Sequence, residues 1–183
     1  MEIDAIRASI RKGSFFVTDH ALTEGFKDGI SVADIRHVIQ TGKIIERYPG
    51  RRRCLVYGHN AAAIPVHVVV DFSPGRSSGY CHHIRPPTGP MDKKPSSKKT
   101  KAVGRKACPE CGTAMRQGRT TLHFERGGFY ADVENVNAML CGRCGTRSVP
   151  GKMALKISDA VERLFRAGKD LDMTGISFHK LAS

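Results

Sequence analysis

Two Cys-x-x-Cys knuckles, Cys108/Cys111 and Cys141/Cys144, lie 29 residues apart and constrain this chain's fold more than any other feature. Each knuckle can place two thiolates on one tetrahedral ion, and the adjacent Gly112, Gly142 and Gly145 permit the tight turns this requires. The interval is longer than in most zinc ribbons and is readily filled by a hairpin. Four of the six cysteines fall into these matched pairs. A redox dithiol or simple packing leaves that pairing unaccounted for. The reading is one structural Zn2+ held by Cys108, Cys111, Cys141 and Cys144, whose closed four-sulfur shell has no open position for catalysis.

With 183 residues and 40% hydrophobic content, the chain can build one mid-sized domain or two small ones. No apolar run approaches the length that spans a bilayer, and Met1-Glu2-Ile3-Asp4 lacks the basic start and apolar block of a signal peptide. A cytoplasmic protein with no membrane partner is expected. In a reducing compartment, paired cysteines mean metal more often than disulfide. The net charge of +13 is uneven, since residues 91–107 hold seven basic side chains and one acidic. That stretch has too little apolar surface to fold. It forms most of a basic flexible linker over 87–107, either a solvated tether or a non-specific nucleic-acid contact.

The linker divides the chain into 1–86 and 108–183. In the front unit, Ile3, Ile6 and Ile10 have helical spacing and Gly13 supplies a stop. Thr18 can cap a second helix to about Lys27. Ser31 and Asp34 make a capping box for a third, with Ile30 and Ile35 at the positions of a hydrophobic staple and Gly42 at its end. The period then changes to two, predicting strands near 43–48, 52–58, 64–72 and 79–85. Helices on one face of an antiparallel meander, an α+β architecture, follow from this order. In the back unit, Thr120–Glu125 and Phe129–Glu134 flank Arg126-Gly127-Gly128 as a hairpin. Met153, Ile157, Val161, Leu164 and Phe165 then mark one stripe of a helix over 152–167 capped by Gly168. That stripe is either core against the hairpin or a docking face.

The segment from Cys108-Pro-Glu-Cys-Gly-Thr through Thr120-Thr-Leu-His-Phe-Glu-Arg-Gly-Gly-Phe to Val133-Glu-Asn-Val-Asn-Ala-Met-Leu-Cys-Gly-Arg-Cys-Gly closely resembles the YgiT-type zinc finger, the N-terminal module of MqsA-like antitoxins. The resemblance covers about 45 residues and all four cysteines. It implies a zinc-ribbon-like module that binds a cognate toxin, without the helix-turn-helix domain that binds the operator in that family. Over roughly 14–86, Thr18-Asp-His-Ala-Leu, Gly29-Ile-Ser, Ile44-Ile-Glu-Arg-Tyr-Pro, Pro65-Val-His-Val-Val-Val and Ile84-Arg-Pro resemble a bacterial domain of unknown function related to the MqsR/RelE toxins. That resemblance implies an RNase-like or ribosome-directed activity. Relatives carry basic residues after the His-Ala-Leu motif, where this chain has Thr23, Glu24, Gly25 and Phe26.

Ribonucleases of this class need no metal. They use a base, an acid and a cation that stabilises the transition state. The front unit holds six of the eight histidines and the Arg51-Arg52-Arg53 cluster. Strand parity places Ile64, Val66, Val68, Val70 and Phe72 on a core face and turns His67 to the other side with Val69 and Asp71. Arg53 and Tyr57 share a face of their strand, as do His83 and Arg85. The candidate catalytic set is His67, Tyr57, Arg53, His20, Arg85 and His83, with Arg51, Arg52 and Lys43 as RNA contacts. His37 and His59 read as surface residues, and Cys54 and Cys81 as small buried hydrophobes.

These readings converge on a fused toxin–antitoxin protein, a metal-independent mRNA endoribonuclease domain held inactive by a tethered zinc module, in cis or in trans between the chains of a homodimer. Its partners would be mRNA or the ribosome. The alternatives are a non-catalytic nucleic-acid-binding or regulatory zinc protein and an inactive toxin remnant.

Overall fold

A computed structural model describes residues 2–48, 52–73, 76–85, 107–170 and 175–178. The chain is α+β, with elements in the order α1 (Glu2–Arg11), β1 (Phe15–Thr18), α2 (Asp19–Lys27), α3 (Val32–Thr41), β2 (Lys43–Tyr48), β3 (Arg53–His59), β4 (Pro65–Ser73), β5 (Arg76–Arg85), β6 (Arg116–Arg126), β7 (Phe129–Leu140), β8 (Arg147–Pro150), α4 (Gly151–Asp170) and β9 (Gly175–Phe178). The linker anticipated over 87–107 lies outside the described residues except for Ala107.

Local chemistry accounts for most boundaries. Thr18 closes β1 and caps α2, its side chain accepting from the Ala21 amide at 3.2 Å. Ser31 Oγ accepts from the Asp34 amide at 3.0 Å while Asp34 Oδ2 accepts from the Ser31 amide at 2.9 Å, so both arms of the α3 capping box are formed. The β6–β7 hairpin turns on Gly127 and Gly128, whose φ of 60° and 83° are the two left-handed values a two-residue turn of this hand requires.

All nine strands belong to one sheet, ordered β2-β3-β4-β5-β1-β8-β7-β6, with β9 on β7. The meander expected from the sequence is present in β2–β5, but it does not end the sheet. β1, to which the sequence reading assigned no element, runs parallel to β5 on one side, Val17 opposite Cys81, and antiparallel to β8 on the other, Val17 opposite Val149. Four consecutive buried residues make β1 an interior strand, covered on both faces. It joins the front half to the back.

The core follows from that junction. One hydrophobic cluster takes Ile10, Val17, Phe26, Ile35, Val56 and Val68 from the front half and Leu122, Phe124, Val161 and Phe165 from the back. Phe26 stacks edge-on against Phe124 at 5.4 Å and Phe165 at 4.6 Å. The Arg126 guanidinium lies 4.2 Å over the Phe26 ring and pairs with Glu162 at 2.8 Å. Inside the interface, the Val32 amide donates to Ser158 Oγ at 3.1 Å.

The α4 stripe is therefore core, in the phase the sequence reading gave it, except at its first position. Ala154, Ile157, Val161, Phe165 and Gly168 are buried, Leu164 is half-buried and Met153 is exposed. Gly168 does not cap the helix at 167. It sits within α4 on the buried stripe, two residues before the helix ends at Asp170.

Candidate metal centre and the open face of the sheet

The two knuckles fold alike. The Cys108 amide donates to Thr113 O and Gly112 N to Cys108 O; the Cys141 amide donates to Thr146 O and Gly145 N to Cys141 O. Gly112 and Gly145 stand at φ 72° and 75°, where a β-carbon would be strained. The repeated Cys-Gly-Thr that closes both knuckles is the sequence signal for this matched geometry.

The fold brings the four Sγ atoms within 4.8 Å of one another. The shortest separations cross between knuckles, Cys108 to Cys144 at 3.5 Å and Cys111 to Cys141 at 3.4 Å. These are too long for a disulfide of about 2.05 Å. They approach the edge of roughly 3.8 Å of a tetrahedron with metal–sulfur bonds of about 2.3 Å. The cluster could hold a metal ion. Cys108 and Cys141 are buried against Met115, with Cys111 and Met139 packed alongside. Burial pushes the Cys108 thiol up to about 12. Burial also acts to raise Cys111, but hydrogen bonds from Thr113 and the neighbouring thiols outweigh it and bring that thiol down to about 6. Four sulfurs in such different settings become thiolates together only when a cation compensates their charge.

The second candidate site lies on the sheet face that the helices leave bare. Cys54, Val56, Val66, Val68 and Val70 are fully buried on the helix side and Phe72 packs against them, but Ile64, expected on the same face, precedes the start of β4 and is 47% exposed. On the other side, the register sets Lys43 opposite Tyr57, Tyr57 opposite His67, and His67 opposite Arg85, one row across four strands. The Tyr57 and His67 rings are 5.1 Å apart, and Tyr57 Oη lies 3.3 Å from His59 Nε2. His59 belongs to this group by strand parity, two residues after Tyr57, although by sequence it reads as a plain surface residue.

The remaining sequence candidates are distributed differently. Arg53 shares the face but is engaged elsewhere. It forms a two-pronged pair with Asp71, Nε to Oδ1 at 3.0 Å and Nη2 to Oδ2 at 2.9 Å, and also meets Glu110 Oε1 at 3.2 Å and Pro109 O at 3.4 Å. His83 departs from regular alternation: the register passes from Ile84 opposite Val68 to His82 opposite Val69 and skips His83. A bulge thus puts His82, not His83, in step with the residues across the strand. His20 is exposed in the first turn of α2, within the helix layer, apart from the Tyr57 row. Arg52 is exposed in the turn before β3, and Arg51 lies outside the described residues. Glu110, between two ligand cysteines, carries no sequence signal beyond that position.

Comparison with known proteins places the open face in a family context. Residues 17–77 match the model of a domain of unknown function, DUF4258. The match covers about a third of the chain and contains Lys43, Arg53, Tyr57, His59 and His67 but neither knuckle. No curated protein and no solved structure matches the chain.

Proposed function

We propose that this chain is a toxin–antitoxin-type fusion whose front half presents an RNase-like, RNA-directed face and whose back half is a structural-zinc module that restrains it. The observation that carries the reading is the row Lys43–Tyr57–His67–Arg85 on the bare face of the sheet, with His59 beside Tyr57. Flat rings support stacking of unpaired bases. Imidazole and phenol groups supply the base and acid for attack of a 2′-hydroxyl on its phosphate, and the cation of Lys43 at one end of the row fits a neighbouring phosphate. Tyr57 orients His59; His67 is the expected base. The knuckle thiolates suit zinc, which is soft enough for sulfur and takes four ligands tetrahedrally. When bound, it would hold the two knuckles together, with no position left for substrate.

The shared sheet supports restraint in cis. Residues 1–86 alone would leave Val17 and Phe26 uncovered, so the test uses the full chain. Incubated with RNA and no added magnesium, the full chain should cleave slowly but measurably, because restraint lowers the rate without removing the Tyr57–His67 row. His67→Ala and Tyr57→Phe should each slow cleavage tenfold or more, about 1.4 kcal/mol of transition-state stabilisation. Cleavage indifferent to both substitutions, or absent without magnesium, would refute the nuclease reading. The second reading, a non-catalytic RNA-binding protein, is favoured by the engagement of Arg53 with Asp71. It predicts binding without cleavage, weakened by the same substitutions.

A further inference from the structure

We infer that Glu110 is an internal stand-in for a nucleic-acid phosphate on Arg53, held there by the metal of the knuckles, so that metal occupancy sets how far the cationic face extends. The inference rests on the RNA-directed reading above and concerns its regulation. Glu110 lies between Cys108 and Cys111, in a turn closed by the Cys108 amide on Thr113 O and Gly112 N on Cys108 O. With a ligand on each side of it, its backbone has little freedom once an ion is bound.

Arg53 meets two carboxylates of different standing. Asp71 is its register partner across β3 and β4, and the two side chains are 13% and 14% exposed. Asp71 therefore orients the guanidinium permanently. Glu110 comes from another part of the chain and is 42% exposed. Its carboxylate faces water on one side, so its pairing with the largely buried Arg53 is the more weakly held of the two. A guanidinium fork that accepts a carboxylate accepts a phosphate in the same way. Arg53 and Tyr57 stand four residues apart on one face of β3, about 13 Å at roughly 3.3 Å per residue. Between them on that face lie Leu55 and its cross-strand partner Val69, both buried, so Arg53 is a second cationic point beyond an apolar step and not a continuation of the Tyr57 row.

Separation of the two halves cannot uncover Arg53, because the β1–β8 ladder and the Phe26 cluster weld them into one core. What can move is the knuckle turn, and the metal governs it.

The test uses the full-length chain loaded with zinc. Affinity for a short labelled oligouridylate is read by fluorescence anisotropy, and exposure of Arg53 by its rate of modification with phenylglyoxal, located by peptide mass mapping. Glu110→Gln, with metal content and circular dichroism unchanged, should bind RNA about threefold tighter and label at Arg53 about threefold faster, the scale of an exposed ion pair. Adding Arg53→Ala should abolish the gain in affinity. Removing zinc from the wild type should raise Arg53 labelling; since the metal-free chain is expected to lose part of its fold, the zinc-loaded variant decides. Equal labelling of wild type and Glu110→Gln overturns the inference whatever RNA does. Faster labelling with RNA affinity unchanged also overturns it, since no phosphate then takes the vacated place. Faster labelling with no RNA binding by any form shows instead that the RNA reading failed, and the phosphate role with it.

Discussion

On the helix-covered side of the sheet, β3 and β4 present Cys54, Val56, Val66, Val68 and Val70 with no exposed surface, and the back half adds Phe124, Val161 and Phe165 to the same cluster. On the opposite side the same two strands carry Arg53, Tyr57, His67 and Asp71, none fully buried, with Leu55 and Val69 buried between them, and the back half touches Arg53 through Glu110 and the Pro109 carbonyl. The two halves are fused by apolar packing on one face and meet through exchangeable polar contacts on the other. Stability should therefore answer to residues of the first face, and activity to residues of the second.

The metal centre offers the largest effect with which to break that division. Cys141→Ser removes a buried ligand, and structural zinc in small modules is worth about 10–16 kcal/mol. The purified variant should lose nearly all of the roughly one zinc expected per monomer, measured by atomic absorption, and much of the fold with it, because residues 108–168 share their core with the front half. Retention of both metal and secondary structure would remove the structural role assigned to the knuckles.

Phe26→Ala comes next, at about 3–5 kcal/mol for a buried phenylalanine. Because the ring packs on Phe124 and Phe165 from the other half, thermal unfolding should remain a single transition at a lower Tm. Two separated transitions would mean that the halves fold independently and that the shared core does not couple them.

On the open face, His67→Ala should leave stability within about 0.5 kcal/mol, as for most surface substitutions, while lowering RNA cleavage or binding tenfold or more. A loss of both together would make the residue structural and erase the contrast between faces. The smallest effect is Thr18→Ala, which removes the α2 cap at a cost of about 1 kcal/mol. It should move Tm without changing RNA affinity.

Elements whose signal is local were legible in the sequence. The Thr18 and Ser31 caps, the Gly127-Gly128 turn and the paired knuckles each depend on a few adjacent residues, and each forms where the sequence placed it. The His67–Tyr57 face was legible because strand parity is also local. What sequence did not disclose depends on partners far along the chain. Phe15-Phe16-Val17 is too short and too uniformly apolar to show a period, so its role as an interior strand could not be read. β8 is a four-residue strand, Arg147–Pro150, whose pairing with β1 is visible only in three dimensions. The bulge at His83 and the engagement of Arg53 by Glu110 were hidden for the same reason. In α4 the misreading was confined to one position: Ile157, Val161 and Phe165 are buried as read, while Ala154, not the larger Met153, lies on the buried side.

The place of β1 in the sheet bears on how the protein is made. Its segment leaves the ribosome well before its partner β8, since Val17 and Val149 lie more than 130 residues apart along the chain. At roughly 5–20 residues per second, Val17 waits on the order of ten seconds for Val149. During that interval one edge of the strand lacks its hydrogen bonds, the condition under which nascent chains aggregate or recruit chaperones. Translation that stalls before Pro150 would release a polypeptide with the open face encoded but the interior unsealed, suited to degradation rather than to activity.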